Sequence, residues 1–117
     1  MAIYHCRIRK YRKSAHLSQR ELALLVGLRS QGALSDIEAG RKHPSVGVAF
    51  SCEIVLGTSA RELFPRLYRK LEVDALRAAR RLQERLRRRK GRSAAVANVA
   101  ALITRIEIIN RAHDPQA

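Results

Sequence analysis

Tryptophan is absent and aromatic residues make up only 4% of the 117-residue chain, so any core must be aliphatic. The two cysteines, Cys6 and Cys52, are too few and too far apart in sequence for a disulfide framework or a metal site. A reduced, cytoplasmic compartment is the simplest fit. The four histidines, His5, His16, His43 and His113, have no regular spacing with cysteines or carboxylates, and no Ser, His and acid set can be picked out. No glycine-rich phosphate loop is present. Enzymatic activity, a cofactor and a bound metal are therefore not expected. Strand-like alternation of useful length is missing as well. The longest apolar run, Ala94 to Ile103, is interrupted by Asn98 and falls short of the roughly 20 residues that a bilayer span requires. Neither a signal peptide nor membrane association is expected.

Acidic residues are scarce too. Ten Asp and Glu stand against 24 Lys and Arg, a net charge of +14, which on so small a body implies a polyanionic partner or surface. Residues 1–65 carry 10 basic and 5 acidic groups, whereas residues 66–117 carry 14 and 5, so the second half is the more basic. Arginine outnumbers lysine 19 to 5, which suits bidentate phosphate contact and equally suits a G·C-rich coding sequence.

What is present is helix grammar, clearest from Leu17 to Gly40. Ser18 stands three residues ahead of Glu21, so each side chain can satisfy the other residue's backbone N–H as a capping box. Leu17 and Leu22 occupy staple positions. Leu22, Leu25 and Val26 repeat at helical spacing and are expected on one buried face, and Gly27 ends the helix. A second helix follows from about Ser30 or Gln31 to residue 39, with Leu34 and Ile37 as its apolar edge and Gly40 as its C-terminal punctuation. Two short helices joined by a glycine-containing turn are the geometry that lays a second helix in a DNA major groove.

These residues resemble the Cro and phage-repressor type (XRE-like) of helix-turn-helix regulator over roughly residues 6–65. The pattern is Leu17-Ser18-Gln19, Glu21-Leu22-Ala23, Gly27, Leu34-Ser35, Ile37-Glu38, Gly40 and Pro44-Ser45, with Gly57 and Glu62-Leu63-Phe64 closing it. One additional residue lies between Gly27 and Ala33. The resemblance implies an all-α, five-helix, lambda-repressor-like domain. It further implies that Arg12 pairs with Glu38. Gln19, Arg41, Lys42 and His43 would contact DNA phosphates, while Gln31, Ser35 and Asp36 would face the groove with Arg29 at its edge. Gln31 is the sharpest candidate, because glutamine can hold adenine through N6 and N7. Gly32 either lets the backbone approach closely or discards a contact. Asp36 can accept from cytosine N4 or pair with a nearby arginine.

The remaining helices read as follows. Residues 3–14 form a first helix around Tyr4, Ile8 and Tyr11. Pro44 and Ser45 open a fourth helix to about Leu56, whose stability is expected to come from packing Phe50, Cys52, Ile54 and Val55. Ser59 and Glu62 form a second capping box ahead of a short helix ending at Pro65, the expected domain boundary. Beyond it, Leu67, Leu71, Ala75, Ala78, Leu82 and Leu86 mark a long amphipathic helix over residues 66–90. After Gly91, Ser93 caps a last helix striped by Val96, Val99, Ile103 and Ile106, giving a C-terminal helical hairpin. So much aliphatic surface must be covered by the long helix, by the first domain or by a second chain, and Leu82, Leu86, Val99, Ile103 and Ile106 are assigned to a possible homodimer contact. The run Arg85 to Arg92 reads as a solvated helix end, a second nucleic-acid contact or a docking surface for an acidic protein.

The sequence thus points to a homodimeric repressor reading double-stranded DNA. Two rivals stand beside it: an antitoxin-like protein whose C-terminal segment grips a protein partner, and an RNA or nonspecific nucleic-acid binder.

Overall fold

The computed structural model describes residues 6–89 and 91–112, and every regular element among them is an α-helix. The order is α1 (Ile8–Ser14), α2 (Gln19–Leu25), α3 (Gln31–Glu38), α4 (Val46–Leu56), α5 (Ala60–Leu63), α6 (Pro65–Arg87) and α7 (Ser93–Ala112). The described residues as far as Tyr68 form one compact unit and those from Arg69 onward another. Pro65 is the first residue of α6, where its missing N–H is no loss and its fixed φ is already helical. Tyr4 lies outside the described residues, and α1 begins at Ile8.

Four of the five short helices of the first unit, α2 to α5, are started by a serine, whereas α1 follows Arg7, whose side chain makes no cap. Ser18, Ser30, Ser45 and Ser59 accept from the backbone N–H groups of Glu21, Ala33, Val48 and Glu62 respectively. At Ser18 the capping box is complete, with the Glu21 carboxylate returning a bond to the Ser18 N–H at 2.8 Å. At Ser59 the Glu62 carboxylate is reached instead by the Tyr11 hydroxyl at 3.3 Å, and Glu53 accepts from the Ala60 N–H. Between α1 and α2 the chain reverses through His16, whose φ of 59° is left-handed, and the Leu17 N–H closes back on the Arg12 carbonyl. Gly27 holds φ +77° in the turn between α2 and α3, a conformation that only glycine adopts without cost.

Ile8, Leu22, Ala23, Val26, Leu34, Ile37, Val48, Cys52, Leu63 and Phe64 form the core of this unit, with Cys6 at its edge. Leu25 is not part of it. It is 54% exposed, because Ala23 and Val26 complete the buried face of α2 and turn Leu25 outward. Nor do Phe50 and Ile54 pack: α4 is apolar around its whole circumference but buries only the side carrying Val48 and Cys52, half-burying Val55.

The second unit is a helical hairpin. Ala79 and Leu86 of α6 bury against Val99 of α7, with Ala95, Val96, Leu102 and Ile103 around them. Arg80 of α6 and Glu107 of α7 pair at 2.7 Å. Leu86 and Val99 are thus consumed by the hairpin itself and offer no surface to a second chain, which corrects their assignment to a dimer contact. Ile103 and Ile106 are half-buried, and Leu82 stays exposed with Leu71, Ala75 and Ala78 along the stripe of α6 that adjoins the seam. The apolar stripe of α6 is therefore split between a seam and an open edge. α7 has the length and composition to cross a membrane, longer than its uninterrupted apolar run suggests, but it contains Arg105 and Glu107 and contributes Val99 to the seam.

Both cysteines are free and buried. Desolvation pushes both thiols up, Cys52 to about 11 from an ordinary value of 9.0. A raised acid pKa means that the folded state retains a proton the unfolded state loses. The stabilisation is whole below pH 9.0 and disappears as pH rises through about 11. The denaturant midpoint should accordingly fall across that window, and Cys52→Ala should flatten the fall. At pH 8 an aromatic disulfide reagent should find neither thiol in the native state and both after unfolding.

Candidate nucleic-acid interface

α3 is fixed at both ends. Ser30 caps its start, and at its finish the Gly40 N–H returns to the Ile37 carbonyl while Leu34 and Ile37 sink into the core. The Cys6 thiol donates to the Ile37 carbonyl at 3.3 Å. What remains outward is Gln31 and Gly32, exposed in the first turn, with Ser35 and Asp36 partly exposed one turn on.

Under this helix lies a buried ion pair. The Arg12 Nε donates to a Glu38 carboxylate oxygen at 2.7 Å and its Nη2 to the other at 3.3 Å, a two-pronged contact joining α1 to the end of α3. Arg12 is 7% exposed and the Glu38 side chain 0%. The Arg12 Nη1 also donates to the Leu17 carbonyl at 2.9 Å, and Arg9 stands 3.7 Å from Glu38. Gln19, at the start of α2, donates its Nε2 to Glu38 at 2.8 Å. Gln31 in turn donates its Nε2 to the Gln19 amide oxygen at 3.2 Å.

The direction of this chain of bonds follows from chemistry. An ionised carboxylate only accepts, so Gln19 must turn its NH2 to Glu38 and its oxygen to Gln31. Gln31 must then spend one N–H inward. Its amide oxygen and second N–H remain for an outside partner, the acceptor and donor that the N6 and N7 of adenine require. The resemblance implied a phosphate role for Gln19 and a base role for Gln31, and nothing in residue spacing indicates that the two are bonded, since they lie twelve residues apart.

Asp36 faces Arg41. Both the Nε and Nη2 of Arg41 donate to one carboxylate oxygen, at 3.1 and 3.0 Å, and the Arg41 N–H returns to the Asp36 carbonyl. The side chains are about half exposed, so the pair is worth no more than about 1 kcal/mol. It neutralises the one acid beside the reading face without locking either group. Lys42 and His43 are exposed after α3, and Arg29 is exposed in the turn before it. No cluster that could hold a metal ion occurs among the described residues.

A family profile described as helix-turn-helix matches residues 8–63. Residues 8–63 form a helix-turn-helix domain of the Cro and phage-repressor type. This is a DNA-binding domain of regulators, and α2, the Gly27 turn and α3 are its signature pair. Comparison of the whole chain with curated proteins and with solved structures gives no match.

Removing one partner of the buried pair leaves the other charge stranded. Arg12→Met should cost ~3 kcal/mol in chemical denaturation. The double variant Arg12→Met/Glu38→Met should regain much of that loss, because no buried charge is left unpaired.

Proposed function

We propose that the protein is a sequence-specific transcriptional repressor that binds an inverted-repeat operator as a homodimer, with α3 reading the major groove. The observation that supports this reading is the exposed Gln31 amide, which is bonded to Gln19 and through it to Glu38 and Arg12, with its oxygen and second N–H left to match adenine. One short helix touches few base pairs, and two-fold duplication on half-sites one helical turn apart supplies the missing specificity. Arg41, Lys42 and His43 after α3 serve the backbone, as does the N-terminal end of α2.

Selection of bound sequences from a random duplex pool at near-physiological salt tests the reading. The expected result is a palindromic motif; recovery of no motif would leave a nonspecific binder. Within the motif, Gln31→Ala should relax one base pair per half-site by roughly 1–3 kcal/mol, with little effect at the others.

The hairpin adds a sequence-independent contact. Arg77, Arg81, Arg85, Arg88 and Arg89 have no carboxylate partner among the described residues, whereas the acids of α6 and α7 hold Lys70, Arg80 and Arg87. Replacing Arg87, Arg88 and Arg89 by Gln should lower the slope of log K against log salt by up to ~3. An unchanged slope would remove the hairpin from the DNA contact and favour an acidic protein as its partner.

A further inference from the structure

Val46, Phe50 and Ile54 stand at intervals of four on α4 and are 70%, 57% and 80% exposed. They form a ridge of three large apolar side chains along the outward side of the helix whose other side holds Val48 and Cys52. Exposed apolar ridges of this kind on a folded domain mark contact surfaces. The charge around the ridge says what kind of contact. From His43 to Ala60 there is no Lys or Arg, the longest such stretch in a chain that carries 24, and Glu53 is the only charged residue in it. An anionic partner finds no cation within this segment to pair with. Two copies that each carry a net charge of +14 repel wherever cations face each other, and the segment 43–60 brings no cation of its own to a meeting of two α4 ridges.

We infer that the α4 ridge is a homodimer interface, formed by two copies of α4 packed antiparallel about a two-fold axis through Phe50. In that arrangement Phe50 of one copy meets Phe50 of the other at the centre, and Val46 of each lies opposite Ile54 of the other, a self-complementary pairing. Two further residues fit it. Gly47 lies on the flank of the ridge, where an added Cβ would meet only the Ser45 Oγ at 4.0 Å, so the folded chain itself does not require a glycine there. In the pair, Gly47 gives room to Ile54 of the other copy. Glu53, one of whose oxygens accepts from the Ala60 N–H, falls on the opposite flank and would bring its other oxygen beside the first turn of the other α4, whose positive dipole end favours a carboxylate. The inference deepens the dimeric part of the proposed function and places the contact within the same unit as α3.

Sedimentation equilibrium of the full chain without DNA tests it. The wild type should be a reversible dimer, and Phe50→Glu should raise its dissociation constant by at least ~30-fold, as loss of a central aromatic anchor does. Circular dichroism of that variant should keep its helix content, since Phe50 is largely outside the core. Gly47→Ala gives the sharper signature: thermal unfolding of the monomer unchanged or shifted upward, because alanine is the better helix former, together with weaker dimerisation. Leu82→Glu, on the open edge of the hairpin, should leave the constant unchanged. A monomeric wild type would overturn the proposal, as would a dimer that survives Phe50→Glu or is dissolved by Leu82→Glu. Because no DNA is present, these failures are separate from a failure of Gln31 to read a base.

Discussion

The pairing of Arg12 with Glu38 is the constraint on which the reading helix depends. Both groups are almost wholly removed from water, so the pair must recover two desolvation costs through its two-pronged geometry and its extra bonds from Gln19 and to the Leu17 carbonyl. Such a pair is weak evidence of stability, since apolar side chains of similar volume could fill the space at no loss. Its value is directional. A leucine pair would hold α1 against α3 equally well but would not dictate which way the Gln19 amide points, and so would not aim Gln31. The same carboxylate that completes the core of charge sets the hydrogen-bond polarity at the surface, two side chains away.

Much of the frame was legible in the residues. Serines at 18, 30, 45 and 59 and glycines at 27 and 40 announce helix ends by local chemistry, and local chemistry survives tertiary context. Burial on individual faces was less legible. Leu22, Leu25 and Val26 fit one stripe on paper, yet a seven-residue helix touches its neighbours along a strip too narrow to take all three, and Ala23 shares the core in place of Leu25. The error at α4 has another origin. A helix apolar on every side carries no periodic signal, so the sequence alone does not say that Val48 and Cys52 face inward and Phe50 and Ile54 outward. In α6 the two apolar stripes adjoin, and only the position of Val99 decides that Ala79 and Leu86 make the seam while Leu71 and Leu82 remain open. Bonds such as Gln19 to Gln31 join residues distant in sequence and leave no trace in spacing at all.

The chain also distributes its few acids with economy. Glu21 and Glu53 hold backbone N–H groups, Glu62 holds the Tyr11 hydroxyl, Glu38 holds Arg12, and Asp36, Asp74, Glu84 and Glu107 each hold a basic side chain. Eight of the ten acids of the chain are thus engaged among the described residues. At the reading face this matters most, because an unpaired Asp36 would repel the phosphates that α3 must approach, and Arg41 cancels it at small energetic cost in a contact that water or a base can replace.

The composition of α3 then sets how the whole protein can bind. Gly32 brings no side chain, Ser35 is short and Asp36 is engaged, so in the proposed function the burden of sequence discrimination would fall on Gln31. A single bidentate contact separates one base from another by a few kcal/mol at most, far less than selection of one site among many demands. In the proposed function affinity would then come from phosphates, for which the surplus arginines are suited, and specificity from repetition of the same small reading head at a fixed spacing. Repetition is useful only if the two heads are rigidly related. An interface inside the compact unit that contains α3 can provide that, whereas a contact made beyond Tyr68, in the other unit, fixes the heads only as firmly as the two units are fixed to each other.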